Sequence, residues 1–247
     1  MIEVHPVEGI PEVEEGTPLG LMIATAAELR DEDIVVVSQK IVSKAEGRVR
    51  DLAAVEPSPQ ALDMASRVGK DPRLVELILA ESREVLRADH GGVLIVETNG
   101  GLICANAGID SSNVPGAALV ALLPEDSDAS ARRMRAEIER AAGVRPAVVI
   151  ADSFGRPWRL GQTEVAIGCA GLSPLDDWRG ATDRDGQKLG ATMIAIADEA
   201  AAAADLARDK ASGTPVVVVG GLGRYVTSEN GPGAISLQRS RDQDLFR

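Results

Sequence analysis

Short apolar runs alternate along the chain with longer segments in which apolar residues recur at helical spacing. Uninterrupted runs such as Ile-Val-Val-Val at 34–37 are typical of buried strands. Segments with an apolar residue every three or four positions, preceded by a capping residue or followed by a glycine, predict helices. Because the two kinds of segment interleave, the pattern predicts a mixed α/β or α+β fold.

Four segments are predicted to be helical: 17–33, 58–86 as two helices broken around 69–72, 126–143 and 198–213. The remaining apolar segments are predicted to form a strand over 34–42, a hairpin over 92–108 that turns at 99–101, a strand, polar loop and strand over 146–171, and a strand within 214–225. The sequence contains no internal repeat and no low-complexity linker. We therefore predict one intertwined unit, a single domain over 1–247.

Composition and charge exclude several classes of partner. With 38 acidic against 26 basic residues and a net charge of −12, the surface should repel nucleic acid. No signal peptide and no apolar stretch of about 20 residues is present, so we expect a cytoplasmic protein with no membrane partner. Two cysteines and two histidines are too few for structural zinc, so any metal should be a hard cation held by oxygen.

Familiar nucleotide-binding and nucleophile motifs are missing from the sequence. No G-x-x-x-x-G-K-[ST] string and no G-x-S-x-G string occurs. The glycines at 220–223 follow a strand but lack the dinucleotide-binding spacing, and we interpret them as a turn. P-loop, Rossmann and serine-nucleophile chemistry are therefore not expected.

The segment SQKIVSKAEGR, residues 38–48, places polar and basic side chains after a buried strand. Lys and Arg at such a position could bind phosphate, because ligands of open α/β sheets bind outside the carboxyl ends of the strands. The same residues would also suit a solvated strand end, since lysine is mostly a surface residue. The segment alone leaves both interpretations open.

Two further segments, AGIDSSNV and IADSFGRPWRLGQ, each place an aspartate where an apolar run ends. Asp110, Asp152 and Ser153 offer the carboxylate and hydroxyl oxygens that Mg²⁺ and Mn²⁺ prefer, together with water and nucleotide phosphate. Aspartates at these positions could equally form hydrogen-bonded turns that close loops. Spacing alone does not decide between a metal site and two turns.

The strings ICANAGIDSSNVP and VVIADSFGRPWRLGQTEVAIG, together with VEGIPEVEEG, IVVVSQKIVSKAEGR and KDPRLVELILAES, make the chain resemble the coenzyme F420-0:γ-glutamyl ligase family from end to end. The resemblance implies GTP-dependent amide ligation. A carboxylate of coenzyme F420-0 would be phosphorylated by GTP, and the amine of L-glutamate would displace phosphate from the acyl phosphate. Such chemistry needs alignment and charge neutralisation rather than a protein nucleophile.

The resemblance also implies roles for individual residues. Asp110 and Asp152 would bind one divalent ion, Mg²⁺ or Mn²⁺, and Ser153 a second, with K⁺ as a further candidate ion. The residues similar to the family's nucleotide contacts are Gly9, Ile10, Pro11, Glu12, Ser38, Gln39, Lys44 and Asn113.

The loop at 207–215 departs from the family pattern. Family members often have Met-Gly-Gln or Met-Gly-Glu there, whereas this chain has Arg208, Asp209 and Lys210. Asp209 remains a candidate metal ligand and Lys210 a candidate nucleotide contact. Independently of the resemblance, the residues Arg156, Arg159 and Glu164 are candidates for binding the acidic substrate and the incoming amine.

The resemblance further implies a homodimer, and a standalone ligase without the nitroreductase-like domain that some relatives carry. Two other functions remain compatible with the residues. A metal-dependent phosphohydrolase would use the same aspartates to activate water. A nucleotide-binding regulator would bind GTP without turning it over.

Overall fold

A computed structural model describes residues 1–89, 91–110, 118–208 and 213–246. Its strands are β1 (Glu3–Pro6), β2 (Ile34–Ser38), β3 (Val49–Asp51), β4 (Ser82–Asp89), β5 (Val93–Thr98), β6 (Ile103–Ala105), β7 (Leu119–Ala121), β8 (Ala147–Arg156), β9 (Arg159–Ala170), β10 (Asp176–Asp177), β11 (Met193–Ile194) and β12 (Val216–Gly220). Its α-helices are α1 (Leu19–Ala26), α2 (Gln39–Ala45), α3 (Pro59–Val68), α4 (Pro72–Ala80), α5 (Ser127–Ala142) and α6 (Ile196–Ala207). The mixed α/β class is confirmed.

The central sheet has five strands in the order β1-β12-β2-β8-β9. Only the β2–β8 pair in this sheet is parallel, and the other neighbours run antiparallel. Val35 and Val37 of β2 face a core shared with α1 and α5, whereas Ile34 and Val36 face a second core shared with α6. Burial of the sheet on both faces explains why β2 is continuously apolar rather than alternating.

A smaller unit has a hydrophobic core of its own. The antiparallel sheet β4-β5-β6 packs against α3 and α4, with Leu94 and Val96 of β5 fully buried against Ala61 and Ile78. The two-stranded pair β3–β7 joins this unit to the central sheet in sequence. The protein therefore buries apolar surface in separate cores whose connecting segments pass close to one another.

Several predicted elements are confirmed with their predicted ends. Helix α5 begins after Asp126, whose side chain accepts a hydrogen bond from the Ala129 amide, and ends at Gly143 in a left-handed conformation. The hairpin β5–β6 turns at the predicted glycines, and Gly101 has a φ of 85°. No helix in the described part of the chain is long and apolar enough to cross a membrane.

Two predictions of secondary structure were wrong. The residues after β2 form the helix α2 rather than the end of a strand, and they place buried side chains at helical spacing. The helix predicted to run to residue 86 ends at Ala80, because the following residues pair with β5 as strand β4. Val85 faces Val96 in that pairing and packs against the smaller core, so tertiary contacts override local helix preference.

Candidate active site at the edge of the central sheet

A cavity of about 420 Å³ lies at the carboxyl end of the parallel pair β2–β8. The pairing of the two strands ends at Ser38 and Ala151, and β8 continues beyond it, paired with β9. The cavity collects ten residues for which the sequence predicts a functional role: Ile10, Pro11, Glu12, Ser38, Gln39, Lys44, Asp110, Asp152, Ser153 and Glu164. Separate segments of the sequence thus converge on one place, as expected for the carboxyl edge of an α/β sheet.

Other predicted residues lie elsewhere. Gly9 precedes the cavity wall and is not part of its lining. Arg156 and Arg159 are exposed at the turn of the β8–β9 hairpin, where the Arg156 guanidinium donates to the carbonyl oxygens of Leu160 and Gly161. The structure does not bring either arginine to the cavity. The candidates Asn113, Asp209 and Lys210 lie outside the described residues.

Helix α2 supplies two ammonium groups to the cavity. Lys40 and Lys44 are four residues apart, so the helix places them on one face. Lys40 Nζ lies 2.9 Å from Asp110 Oδ2, and Lys44 Nζ lies 2.5 Å from Glu12 Oε1. The helix therefore presents to the cavity two ammonium groups, each already paired with a carboxylate, which a phosphate or carboxylate ligand would also contact.

The neighbouring residues of α2 are buried. Gln39 is 2% exposed and Ser43 is fully buried, and the Ser43 hydroxyl donates to Gln39 Oε1 at 3.4 Å. Gln39 Nε2 is buried and has no hydrogen-bond partner among the described residues, although Gln39 lines the cavity. A ligand or water acceptor would therefore complete its hydrogen bonding.

Asp110 is placed by an unusual stretch of backbone. Asn106 and Ala107 have φ values of 53° and 55°, and Gly108 follows with a φ of 68°. The Asn106 side chain accepts a hydrogen bond from the Leu94 amide, and Asp110 exchanges backbone hydrogen bonds of 3.0 and 2.8 Å with Ala121. Consecutive left-handed residues cost conformational energy and occur preferentially at functional sites.

The pKa of Asp152 is raised to about 7. Burial is the main cause, and the negative charges of Glu164 and Asp110 add to it. The backbone amide of Ser153 and the ammonium of Lys40 act in the opposite direction. Burial therefore disfavours the ionised form of Asp152, and a bound cation would offset that cost.

Ser153, Glu164 and Arg208 form a connected group on the cavity wall. The Ser153 hydroxyl donates to Glu164 Oε1 at 2.6 Å, and Arg208 Nη2 lies 2.8 Å from Glu164 Oε2. The latter contact is an ion pair rather than an aligned hydrogen bond, since Glu164 Oε2 accepts none in the described structure. Glu164 is only 6% exposed, so the arginine provides the positive charge that a buried carboxylate requires.

The oxygen donors fit a divalent cation that is shared with a ligand. Among the described residues, no three Asp, Glu, His or Cys side chains lie together as a metal cluster. Asp110, Asp152 and Ser153 nevertheless line one cavity. Burial and the neighbouring carboxylates raise the pKa of Asp152, and a bound cation would favour its ionised form. Mg²⁺ is usually held by one or two carboxylates with waters and substrate phosphates, so this donor set suits it without a third protein carboxylate.

Three further charged residues line the cavity, and no individual role was predicted for any of them: Lys40, Asp205 and Arg208. Lys40 stands in a segment singled out for its basic residues, and helical spacing relative to Lys44 would have indicated its position. Arg208 lines the cavity because β12 lies beside β2 and runs antiparallel to it. The residues before β12 therefore lie near the carboxyl end of β2. The Ser38 amide donates to the Pro215 carbonyl at 2.8 Å across this junction.

Comparison with known proteins gives consistent matches over the chain. The family model described as F420-0:Gamma-glutamyl ligase matches residues 9–221. A protein of Methanothermobacter thermautotrophicus named coenzyme F420:L-glutamate ligase is 44% identical over 252 residues, covering 100% of this chain and 99% of the relative. Proteins of the same name from Haloarcula marismortui and Methanopyrus kandleri are 45% and 42% identical, each over 100% of this chain and over 96% and 98% of the relative, respectively.

Proposed function

Since this chain belongs to the F420-0:γ-glutamyl ligase family, we propose that it joins L-glutamate to coenzyme F420-0 through a γ-linked amide bond, using GTP to activate the carboxylate. The observation that carries the proposal is the cavity at the end of β2 and β8. It gathers lysines, carboxylates and a hydroxyl on one wall, and it offers no cysteine nucleophile among the residues that line it. These are groups that bind and orient charged substrates.

The proposed reaction has two steps. A carboxylate oxygen of coenzyme F420-0 attacks the γ-phosphorus of GTP, GDP leaves, and an acyl phosphate forms. The amine nitrogen of L-glutamate then attacks the acyl carbon, inorganic phosphate leaves, and the nitrogen loses a proton as the amide forms. Both steps move negative charge between oxygens, so their rates depend on alignment and on neutralisation of that charge.

The residues of the cavity have corresponding tasks. Lys40 and Lys44, held on one face of α2, would bind anionic oxygens of the ligands. Gln39 would donate its unpartnered amide to the nucleotide. Ile10 and Pro11, which line the same cavity, and Gly9 just before them would contact the nucleotide.

Asp110 and Asp152 are the proposed ligands of a divalent cation, Mg²⁺ or Mn²⁺, and Ser153 of a second. When bound, such ions neutralise phosphate charge and polarise the transferred phosphoryl group. Around them, the protein partly buries Asp152, and the Ser153 hydroxyl donates its proton toward Glu164. A hydroxyl oxygen that donates its proton in this way keeps lone pairs with which it would contact a cation.

Mass spectrometry provides the direct test. The full chain is incubated with coenzyme F420-0, GTP, L-glutamate and Mg²⁺ or Mn²⁺, and the products are analysed for added glutamyl units. Parallel reactions omit one component each, and the proposal expects product and GDP only when all are present. Release of phosphate from GTP without glutamate would instead indicate a phosphohydrolase, and binding of GTP with no turnover would indicate a regulator.

An Asp152→Asn variant tests the metal assignment within that assay. The amide keeps the size of the side chain but removes the negative charge that a divalent cation needs. We expect ligation to fall by at least about a hundredfold at millimolar Mg²⁺, a loss of roughly 3 kcal/mol. Near-normal ligation by this variant would remove Asp152 from the proposed metal site.

A further inference from the structure

Arg208 follows the last residue of α6 and reaches into the cavity wall with a side chain that is 9% exposed. Its Nη2 lies 2.8 Å from Glu164 Oε2, and its Nε lies 4.0 Å from Asp205 Oδ1. Both contacts use the same side of the guanidinium. The other terminal nitrogen, Nη1, is buried and has no hydrogen-bond partner among the described residues.

A buried guanidinium nitrogen without a hydrogen-bond partner destabilises the folded protein. Leaving a buried donor without an acceptor costs about 1–3 kcal/mol, and more for a charged group. Within the part of the chain that is described, only a few buried side-chain nitrogens lack a partner, and two of them, Arg208 Nη1 and Gln39 Nε2, belong to residues of this cavity. Two unsatisfied donors on one cavity indicate that the acceptor is a ligand or water in the cavity rather than another part of the protein.

Glu164 connects Arg208 to Ser153. One carboxylate oxygen faces the guanidinium, and the other accepts the proton of the Ser153 hydroxyl at 2.6 Å. If Glu164 moved, the Ser153 hydroxyl would lose the acceptor that fixes its proton. The ion pair with Arg208 holds the Glu164 carboxylate in place, so the orientation of Ser153 depends on Arg208 through one intermediate residue.

We propose that Arg208 binds an anionic oxygen of a reacting ligand through Nη1 and, through Glu164, positions the hydroxyl of Ser153. The choice of ligand rests on the proposed function, in which both a nucleotide phosphate and a substrate carboxylate are present. These share one chemistry, an oxyanion that accepts from a guanidinium. Glu164 is a positioning residue in this scheme, because it acts through Ser153.

Binding measurements on the full chain distinguish the two sources of the oxyanion. Calorimetry with GTP and Mg²⁺, and separately the KM for L-glutamate and for coenzyme F420-0, are compared for wild type, Arg208→Lys and Arg208→Met. Arg208→Lys keeps a positive charge near Glu164 but lacks the second terminal nitrogen. Arg67→Met on α3, an exposed arginine that pairs with Asp63, is the control.

We expect both Arg208 variants to weaken binding of one anionic ligand by at least about tenfold. A change in the Kd for GTP identifies the phosphate, and a change in one KM with an unaltered Kd for GTP identifies a carboxylate. The Arg67→Met variant should match wild type in every measurement. Far-UV circular dichroism of each variant confirms that folded proteins are being compared, and Arg208→Lys serves if Arg208→Met does not fold.

The result that would overturn anion binding is a folded Arg208→Lys variant whose Kd for GTP and both KM values equal those of wild type. If wild type ligates glutamate and this result is found, the inference fails while the proposed function stands. If wild type shows no ligation but binds GTP in an Arg208-dependent manner, the proposed function fails while the inference stands. Wild type that binds neither GTP nor glutamate would overturn both.

The positioning role has a separate readout. If Arg208 acts on Ser153 through Glu164, the losses in kcat caused by Arg208→Met and Ser153→Ala should not add in the double variant, because both changes disturb the same hydroxyl. A merely structural role for Arg208 predicts additive losses. Strict additivity within about twofold in kcat would therefore overturn the positioning role.

Discussion

Two buried arginines at opposite ends of the central sheet have opposite hydrogen-bonding environments. Arg135 of α5 lies near the amino ends of β2 and β8, is 1% exposed, and donates from all three guanidinium nitrogens. Its acceptors include the carbonyl oxygens of Pro146, Thr227 and Glu229. Arg208, at the carboxyl end, keeps Nη1 without a partner.

The difference shows how to interpret a buried cation beside a cavity. The cavity near Arg135 has a volume of about 400 Å³, close to the 420 Å³ of the candidate active site. Size therefore does not distinguish the two. The protein itself satisfies the guanidinium of Arg135, whose task is to hold backbone segments together, whereas Arg208 and Gln39 retain donors that only a ligand or water can satisfy.

The largest expected effect concerns the satisfied arginine. Arg135→Met should lower the free energy of unfolding by about 3–5 kcal/mol, since several buried carbonyl oxygens lose their donor. Urea denaturation followed by circular dichroism measures this change. At temperatures where the variant is folded, its Kd for GTP should equal that of wild type. A stable Arg135→Met variant with impaired GTP binding would reverse the roles assigned to the two ends of the sheet.

A smaller loss of stability is expected from the strained backbone near Asp110. In Gly108→Ala the new Cβ would lie 2.7 Å from Leu123 Cδ1, and the residue would have to keep a φ of 68°. We expect unfolding to become easier by about 2 kcal/mol. Gly100→Ala is the matched control, because its Cβ would meet nothing closer than Thr98 Oγ1 at 3.8 Å. Equal stability of the two variants would show that the turn at Gly108 relaxes without cost.

The smallest effect is a gain of stability. The pKa of Asp152 is about 7 in the folded protein, above its ordinary value of 3.8, so the folded state binds more protons than the unfolded state between these pH values. Stability therefore falls as pH rises from about 4 to about 7, and the penalty is complete above that range. Asp152→Asn removes the penalty and should stabilise the metal-free protein by about 1–2 kcal/mol at pH 8 and by little at pH 4.

Thermal or urea unfolding of wild type and Asp152→Asn at both pH values measures this gain. Asp63→Asn, an exposed carboxylate on α3, is the control and should show no such pH-dependent difference. If Asp152→Asn is destabilised at pH 8, the carboxylate already has sufficient compensation from the protein. In that case burial would not disfavour the ionised Asp152 carboxylate. The candidate active site would then differ less from the surroundings of Arg135, where the protein itself satisfies the buried charge.

Much of the candidate site could be predicted from the sequence, because strand ends carry local signals. Asp110 and Asp152 were predicted from the point where apolar runs end, and both line the cavity. Asp152 lies within β8 rather than in a loop, yet it comes directly after the last residue paired with β2. The structural feature that places Asp152 is therefore the end of the parallel β2–β8 pairing. In the sequence this feature is visible only as the end of an apolar run.

Other parts of the site depend on information that one sequence does not contain. Arg156 and Arg159 were expected beside the cavity because the residues after β8 were interpreted as a loop. The β8–β9 pairing continues instead and carries both arginines to an exposed turn. Arg208 was not assigned because the place of β12 beside β2 follows from sheet order, which periodicity does not specify.

The two aspartates proposed as metal ligands adjoin different hydrophobic cores. Asp110 follows Ile109, which packs against the core of the smaller unit, whereas Asp152 follows Ala151 in the central sheet. A cation bound by both carboxylates would link the smaller unit to the central sheet. Binding of the cation should therefore reduce the motion of these two parts relative to each other. Hydrogen–deuterium exchange with GTP and Mg²⁺ should then slow amides in both β5 and β8, although most of β5 lies away from the cavity.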